Sequence, residues 1–119
     1  MIINRMKIAL CQIAVTDIKA TNLKTARDAI KKAVTNEENV SLVSLPECWN
    51  SPYNTSAFPA YAEEIPATSC IVNEEKHPST ALITQSAKEF GIYVVGGSIP
   101  EKDVESGNVP VSLQTLRVK

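Results

Sequence analysis

The chain has 119 residues, which is the size of one ordinary domain and too few for two. Its 44% hydrophobic and 21% charged residues are close to the globular average and exclude a disordered, collagen-like or low-complexity chain. The 12 Lys and Arg residues nearly balance the 13 Asp and Glu residues, so the net charge of −1 gives no electrostatic basis for a nucleic-acid or membrane partner.

The first predicted element is a strand over Lys7–Val15. Its compact apolar run with β-branched residues is typical of a strand that is buried on both faces. A helix follows as far as about Asn36, with Thr16 or Asp17 as its cap. Apolar residues recur along this helix at spacings of three and four and form one stripe: Leu23, Ala26, Ile30, Ala33 and Val34.

A second short strand is predicted over Val40–Leu45, where Pro46 ends it. The next segment, residues 47–66, contains three prolines and several aromatic residues, so it predicts an ordered loop with one helical turn near Ala57–Ala62. Residues 67–78 are polar and lack periodicity, which indicates a surface excursion.

A second helix is predicted from Ser79, as its cap, to Glu89, and Gly91 suits the position just after its end. The residues expected to be buried on this helix are Leu82, Ile83, Ala87 and Phe90. A third buried strand follows over Ile92–Val95 and ends at Gly96–Ser98.

Apolar strands that alternate with amphipathic helices predict an α/β fold with a mostly parallel sheet and right-handed crossovers. The tail fits neither period well. Residues 109–119 predict either an edge strand, where Pro110 is tolerated, or an unstructured end.

Three cysteines, Cys11, Cys48 and Cys70, form no CxxC motif, which argues against a disulfide framework and favours a reducing compartment. The longest apolar stretch, Ile8–Val15, is far shorter than the ~20 residues that cross a bilayer. Gln12 interrupts it and no small-residue cleavage site follows, so it is not typical of a signal peptide. We therefore expect a cytoplasmic soluble protein.

Functional groups collect beyond the carboxyl ends of the strands in an open parallel sheet. Glu47 directly follows the second strand and a rigid proline, so its side chain is expected at the rim of the sheet. Leu45, Trp49 and Tyr53 are expected to desolvate the carboxylate partly, which suits it for taking a proton near neutral pH. The commoner role of such a glutamate is an exposed turn residue.

The other chemistry-bearing residues have simpler interpretations. Cys48 is adjacent to Glu47, but neighbouring side chains point in different directions along an extended chain. Cys11 is expected to be a small core residue in the first strand.

Cys70 and His77 supply half a metal site with a spacing unlike recurrent zinc patterns, and His77 is expected to be a solvated loop residue. Gly96–Gly97 is too short for a phosphate-binding fingerprint. The sequence therefore predicts no metal and no cofactor.

Three segments together resemble the amino-terminal part of the nitrilase superfamily of carbon–nitrogen hydrolases: Lys7–Ile13, Leu42–Tyr53 and Tyr93–Glu101. Three ordered motifs at consistent separations are more specific than any one alone. The resemblance covers roughly residues 6–103, with residues 70–76 as a local insertion. Within it, the Pro-Glu-Cys-Trp-Asn-Ser-Pro-Tyr and Gly-Gly-Ser-Ile-Pro-Glu stretches most resemble the omega-amidase branch.

The resemblance implies an α-β-β-α sandwich and a Glu-Lys-Cys catalytic set. In that set the Glu takes the thiol proton, the thiolate attacks the amide carbon, and the Lys stabilises the oxyanion; ammonia leaves and water hydrolyses the thioester. Glu47 lies at the position of the catalytic Glu, and Tyr53 at a position that lines the substrate pocket. The implied substrates are small ω-amides of dicarboxylic acids, such as 2-oxoglutaramate, and no cofactor is implied.

The sequence departs from the family after Glu101. Lys102 and Lys119 match no family motif, and none of the three cysteines takes the place of the nucleophile. We therefore expect a single partial domain over residues 1–119, an incomplete sandwich with an atypical tail at residues 104–119, which is inactive alone.

Two alternatives to an enzyme remain at this point. A half sandwich leaves an open sheet edge, through which a non-catalytic fragment pairs with a second copy, an intact homologue or a complementary polypeptide. The other alternative is a metal or redox domain that uses the cysteines.

Overall fold

The computed structural model describes residues 4–67 and 69–106 and the backbone of residues 111–113. Its elements, in chain order, are β1 (Lys7–Leu10), α1 (Lys19–Asn36), β2 (Val40–Ser44), α2 (Phe58–Tyr61), α3 (Pro78–Phe90), β3 (Tyr93–Val95), β4 (Ser98–Pro100) and β5 (Val111–Leu113). None of the helices in these residues is long and apolar enough to cross a membrane.

Strands β1, β2 and β3 form a parallel sheet in that order, and the two long helices connect them. Helices α1 and α3 pack against each other and against β2 and β3 respectively. Val43 of β2 and Val94 of β3 are buried in the core that these helices cover. This arrangement confirms the α/β prediction of a parallel sheet with flanking helices.

The predicted apolar stripe of α1 faces the core. Ala26 and Ile30 are fully buried, and the remaining members, Leu23, Ala33 and Val34, pack against the same cluster. On α3 the predicted residues Leu82, Ile83 and Ala87 are buried and Phe90 is half-buried.

Helix α3 ends as predicted. Gly91 adopts the left-handed conformation, with φ of 62°, just after the last helical residue, and its N–H bonds the carbonyl of Ala87. A position with this φ favours glycine, because the Cβ atom of any other residue would be strained there.

The predicted amino-terminal cap of α1 is wrong. Ile18 occupies the cap position and makes no side-chain capping bond to the first turn. Thr16 lies before the helix, where its Oγ1 accepts a hydrogen bond from the N–H of Ile18 at 3.2 Å. The backbone carbonyl of Asp17 accepts a hydrogen bond from the Tyr61 hydroxyl. The cap position is set by where the chain leaves the loop, which a Thr-Asp pair alone does not specify.

The predicted cap of α3 is also wrong. His77 is the cap residue, Pro78 takes the first helical position that proline favours, and Ser79 lies inside the first turn. His77 itself is only 8% exposed, and its Nδ1 accepts a hydrogen bond from the N–H of Asn73 at 3.1 Å. The prediction of a solvated His77 therefore fails, because the loop before α3 folds back onto this side chain.

Strand β1 is shorter and more exposed than predicted. It ends at Leu10 rather than Val15, and it is an edge strand. Ile8 and Leu10 are 52% and 77% exposed. They lie on the sheet face away from the helices, in a row that Ile8 forms with Leu42 and Tyr93. An apolar run predicts a strand that can be buried on both faces of the sheet. The helices of the described residues cover only one of these faces.

The loop after β2 and the tail each contain a short element. Helix α2 confirms the helical turn predicted within residues 57–62. The chain turns at Gly97 and continues as β4, which pairs antiparallel with β5. Residues 111–113 thus form the edge strand that was one of the two alternatives for the tail, whereas Pro110 and residues 114–119 lie outside the described residues.

Candidate active site

The turn at residues 47–50 follows the end of β2 after two intervening residues and packs against the turn between β3 and β4. A Cβ atom on Gly97 would lie 2.0 Å from the carbonyl oxygen of Pro46 and 2.8 Å from that of Leu45. Both distances are shorter than any real contact, and Gly97 has a φ of 62°. Only glycine therefore lets the two turns approach so closely.

Hydrogen bonds fasten the two turns together. The N–H of Cys48, whose φ is 49°, donates to Ser98 Oγ at 3.0 Å. The Nε1 of Trp49 donates to the carbonyl of Gly96 at 2.7 Å, and the ring is fully buried. The backbone that carries Glu47 is consequently fixed on its core side.

An open hollow of about 310 Å³ lies at this end of the sheet. Its lining residues are Glu47, Cys48, Tyr53, Thr55 and Phe58. The Tyr53 hydroxyl donates to Glu47 Oε1 at 3.4 Å. The structure thus brings the two residues singled out by the sequence, Glu47 and Tyr53, together at the wall of one hollow beyond the carboxyl end of β2.

The surroundings of Glu47 differ from expectation. Its side chain is exposed rather than partly desolvated, and Tyr53 is 75% exposed. Leu45 and Trp49 point into the core instead of covering the carboxylate. Glu47 is thus a turn residue in contact with solvent, and it faces the hollow at the same time.

The negative charge of Glu47 influences its neighbours. It is the main reason that the pKa of Tyr53 is raised above 10.0, with smaller contributions from burial and their hydrogen bond. Burial raises the pKa of Cys48 above 9.0; the Ser98 hydrogen bond opposes this and the Glu47 charge adds to it. The Cys48 thiol is therefore protonated at neutral pH, which is unfavourable for a nucleophile.

The remaining candidates lie away from the hollow. Cys11 follows β1, is half-buried against the core, and donates its N–H to the carbonyl of Ser44 at 2.9 Å. Burial raises its pKa as well. Cys70 is exposed while His77 is buried. In residues 4–67 and 69–106, no group of three or more His, Cys, Asp or Glu side chains is placed to hold a metal ion.

A buried carboxylate behind the turn was not predicted. Glu63 is 3% exposed, and its carboxylate bonds the side chains of Lys19, Asn50 and Ser79. Asn50 also receives a hydrogen bond from Asn22 Nδ2 on its backbone carbonyl, at 3.2 Å. The sequence contains no signal for this cluster, since Glu63 and its neighbour Glu64 look like ordinary loop carboxylates.

Comparison with known proteins shows to which family this chain belongs. The sequence profile described as carbon-nitrogen hydrolase matches residues 7–116. The chain belongs to the carbon-nitrogen hydrolase family. This confirms the resemblance on which the roles of Glu47 and Tyr53 rest, while those roles themselves stay predictions.

Curated relatives and one solved structure agree with this membership. Omega-amidase NIT2-A of Xenopus laevis is 46% identical over 99 residues, which are 83% of this chain and 32% of the relative. The chloroplastic omega-amidase of Arabidopsis thaliana is 42% identical over 100 residues, which are 84% of this chain and 25% of the relative. The carbon-nitrogen hydrolase chain thus spans about a third or less of the length of these relatives.

The crystal structure of Saccharomyces cerevisiae Nit3, described as a member of branch 10 of the nitrilase superfamily, matches with a TM-score of 0.78 and 34% identity. The match covers 89% of this chain and 37% of that one. It confirms the nitrilase-type fold for the part of the domain that this chain contains.

Proposed function

We propose that this chain supplies the general base, Glu47, and one wall of the substrate pocket of an amidase that acts on small ω-amides of dicarboxylic acids. The observation that supports this proposal is the hollow beyond β2, where the Tyr53 hydroxyl bonds Glu47 Oε1. The names of the relatives, omega-amidases of frog and plant, support the substrate class.

In the proposed reaction Glu47 takes a proton from a cysteine thiol, and the thiolate attacks the amide carbon of the substrate. A lysine stabilises the tetrahedral oxyanion, and the proton held by Glu47 passes to the leaving nitrogen so that ammonia departs. Water then hydrolyses the thioester, which releases the acid and restores the thiol. Tyr53 holds Oε1 by its hydroxyl, which leaves the second carboxylate oxygen to receive the proton.

The hollow suits a small polar substrate. Its volume of about 310 Å³ is at the lower end of the range for small-molecule sites. Tyr53 and Thr55 offer hydroxyl groups, and Phe58 offers an apolar surface for a short carbon chain. None of the described lining residues is cationic, so the carboxylate of a dicarboxylic-acid amide needs a cation from another segment.

Among the described residues that line the hollow there is no lysine, and the thiol of the lining residue Cys48 is protonated. We propose that the 119-residue chain alone does not hydrolyse amides, because a base without its thiol has nothing to activate. The same proposal divides the chain into a family-like region of residues 6–103 and an atypical tail of 104–119. It also includes a cytoplasmic location.

A chimera tests this function. The matched segment of this chain replaces the corresponding segment of Xenopus laevis omega-amidase NIT2-A, and ammonia release from 2-oxoglutaramate is measured. We expect activity in the chimera and none in the 119-residue chain. A folded chimera without activity would refute the proposed contribution to the pocket, and activity of the chain alone would refute the incomplete catalytic set.

A second candidate function is association through the open side of the sheet. It is favoured by the edge position of β1 and by the exposed side chains of Ile8 and Leu10. An uncovered apolar face next to a free strand edge is a common basis for pairing with another chain. Size-exclusion chromatography with light scattering tests it, since a monomer at all concentrations would count against this function.

A further inference from the structure

The carboxylate of Glu63 is the centre of a buried polar cluster. It receives hydrogen bonds from Ser79 N at 2.8 Å, Ser79 Oγ at 2.5 Å and Asn50 Nδ2 at 3.0 Å. Lys19 Nζ lies 2.9 Å from Oε2 and also donates to the carbonyl of Tyr61 at 3.0 Å. One side chain thus joins the first turn of α1, the first turn of α3 and the turn at residues 47–50.

The cluster requires a carboxylate at this position. Among the described residues, all four groups that bond the Glu63 carboxylate are donors, and an ionised carboxylate is an acceptor at both oxygens. A buried charge is costly unless it is paired and hydrogen-bonded, and this one is both. A glutamine in its place would turn an amide NH₂ towards other donors and leave Lys19 without a counter-charge.

The link to the hollow is Asn50. Its Nδ2 donates to Glu63 Oε2 and also to Ser79 Oγ at 3.1 Å, while its backbone carbonyl accepts a hydrogen bond from Asn22 Nδ2. Asn50 is the last residue of the turn that begins with Glu47. The Glu47 side chain is exposed and bonds Tyr53, which is exposed too, so its location depends on how firmly this turn is held.

We infer that Glu63 is a positioning residue, which acts through Asn50 to hold the turn that presents Glu47 to the hollow. This inference rests on the proposed function only for its significance, since the anchoring itself involves no reaction. Without the Glu63–Asn50 bond, the turn opens locally while the sheet and the two long helices keep their packing.

Two cysteines of the chain report such an opening. Cys48 lies within the turn and is 2% exposed, whereas Cys11 lies after β1, at the far edge strand of the sheet. In a Cys70→Ser background, alkylation by iodoacetamide is followed at each cysteine by peptide mass spectrometry under native conditions. Glu64→Gln is the matched control, because no hydrogen bond or ion pair of Glu64 exists among the described residues.

We expect Glu63→Gln to increase the alkylation rate of Cys48 roughly ten- to a hundredfold, the effect of losing one hydrogen bond to a charged group, and to change Cys11 far less. Glu64→Gln is expected to change neither rate. Equal acceleration of both cysteines would overturn the inference, because it would show that Glu63 stabilises the whole domain without holding this turn.

Asn50→Ala removes the same link from the other side and leaves Lys19 and Ser79 paired with Glu63. We expect it to accelerate Cys48 selectively, and the double variant with Glu63→Gln to add little at Cys48. Additive effects would overturn the inference. Should Glu63→Gln fail to fold, Asn50→Ala alone decides by whether Cys48 is accelerated more than Cys11. Since alkylation requires no catalysis, its outcome is independent of whether Glu47 is the base.

Discussion

Gly97→Ala tests the close approach of the two turns. The added Cβ atom would lie 2.0 Å from the Pro46 carbonyl oxygen, so the backbone would have to move by roughly 1 Å to reach the shortest real contact. The left-handed φ of 62° costs about 1–2 kcal/mol for alanine, and overpacking of this kind costs about 1–3 kcal/mol more. We expect the free energy of unfolding to fall by about 2–5 kcal/mol.

Gly91→Ala is the matched control, because Gly91 has the same φ of 62° with no atom within 4 Å of the added Cβ. It should cost only the backbone share of about 1–2 kcal/mol. Urea unfolding followed by far-ultraviolet circular dichroism measures both variants. The fluorescence of Trp49, the single tryptophan, reports the turn itself. Equal stability of the two variants would refute the close approach at Pro46.

Three further predictions concern other contacts. Trp49→Phe leaves the Gly96 carbonyl without its donor and should lower the unfolding free energy in urea by about 1–3 kcal/mol, whereas an unchanged value would contradict the bond. The pKa of Cys48 is raised above 9.0 in the folded chain. The contribution of this thiol to the free energy of unfolding is therefore fully present below pH 9.0 and is lost as the pH rises through the folded pKa. Cys48→Ala should flatten this fall, measured as unfolding free energy against pH, and an identical profile would contradict it. Leu10→Lys should reduce any concentration-dependent association seen by light scattering, and unaltered association would exclude the open sheet face as its site.

Periodicity predicted the elements that build the core. The stripe of α1 and the buried residues of α3 are local patterns with a helical period, and Gly91 ends α3 for a reason that is visible in one residue. By contrast, the length and burial of β1 depend on what covers each face of the sheet. The sequence of an apolar run such as Lys7–Val15 does not show which faces of the sheet will be covered.

The candidate site was predictable only in part. Glu47 was located by its place after a strand and a proline, and Tyr53 by family resemblance; the structure brings the two together. An exposed turn residue was the commoner of the two roles open to Glu47. The expected partial desolvation is wrong, because the side chains of Leu45 and Trp49 point into the core. Glu63 was missed because its partners are spread from Lys19 to Ser79 along the chain.

The role of Glu47 is tested most directly by Glu47→Gln in the chimera with the frog omega-amidase, with Glu64→Gln as the control. Ammonia release from 2-oxoglutaramate should fall roughly 10²- to 10⁴-fold in Glu47→Gln, as expected for the loss of a general base, and stay unchanged in Glu64→Gln. A Glu47→Gln chimera that releases ammonia at the parent rate would contradict the assignment of the base.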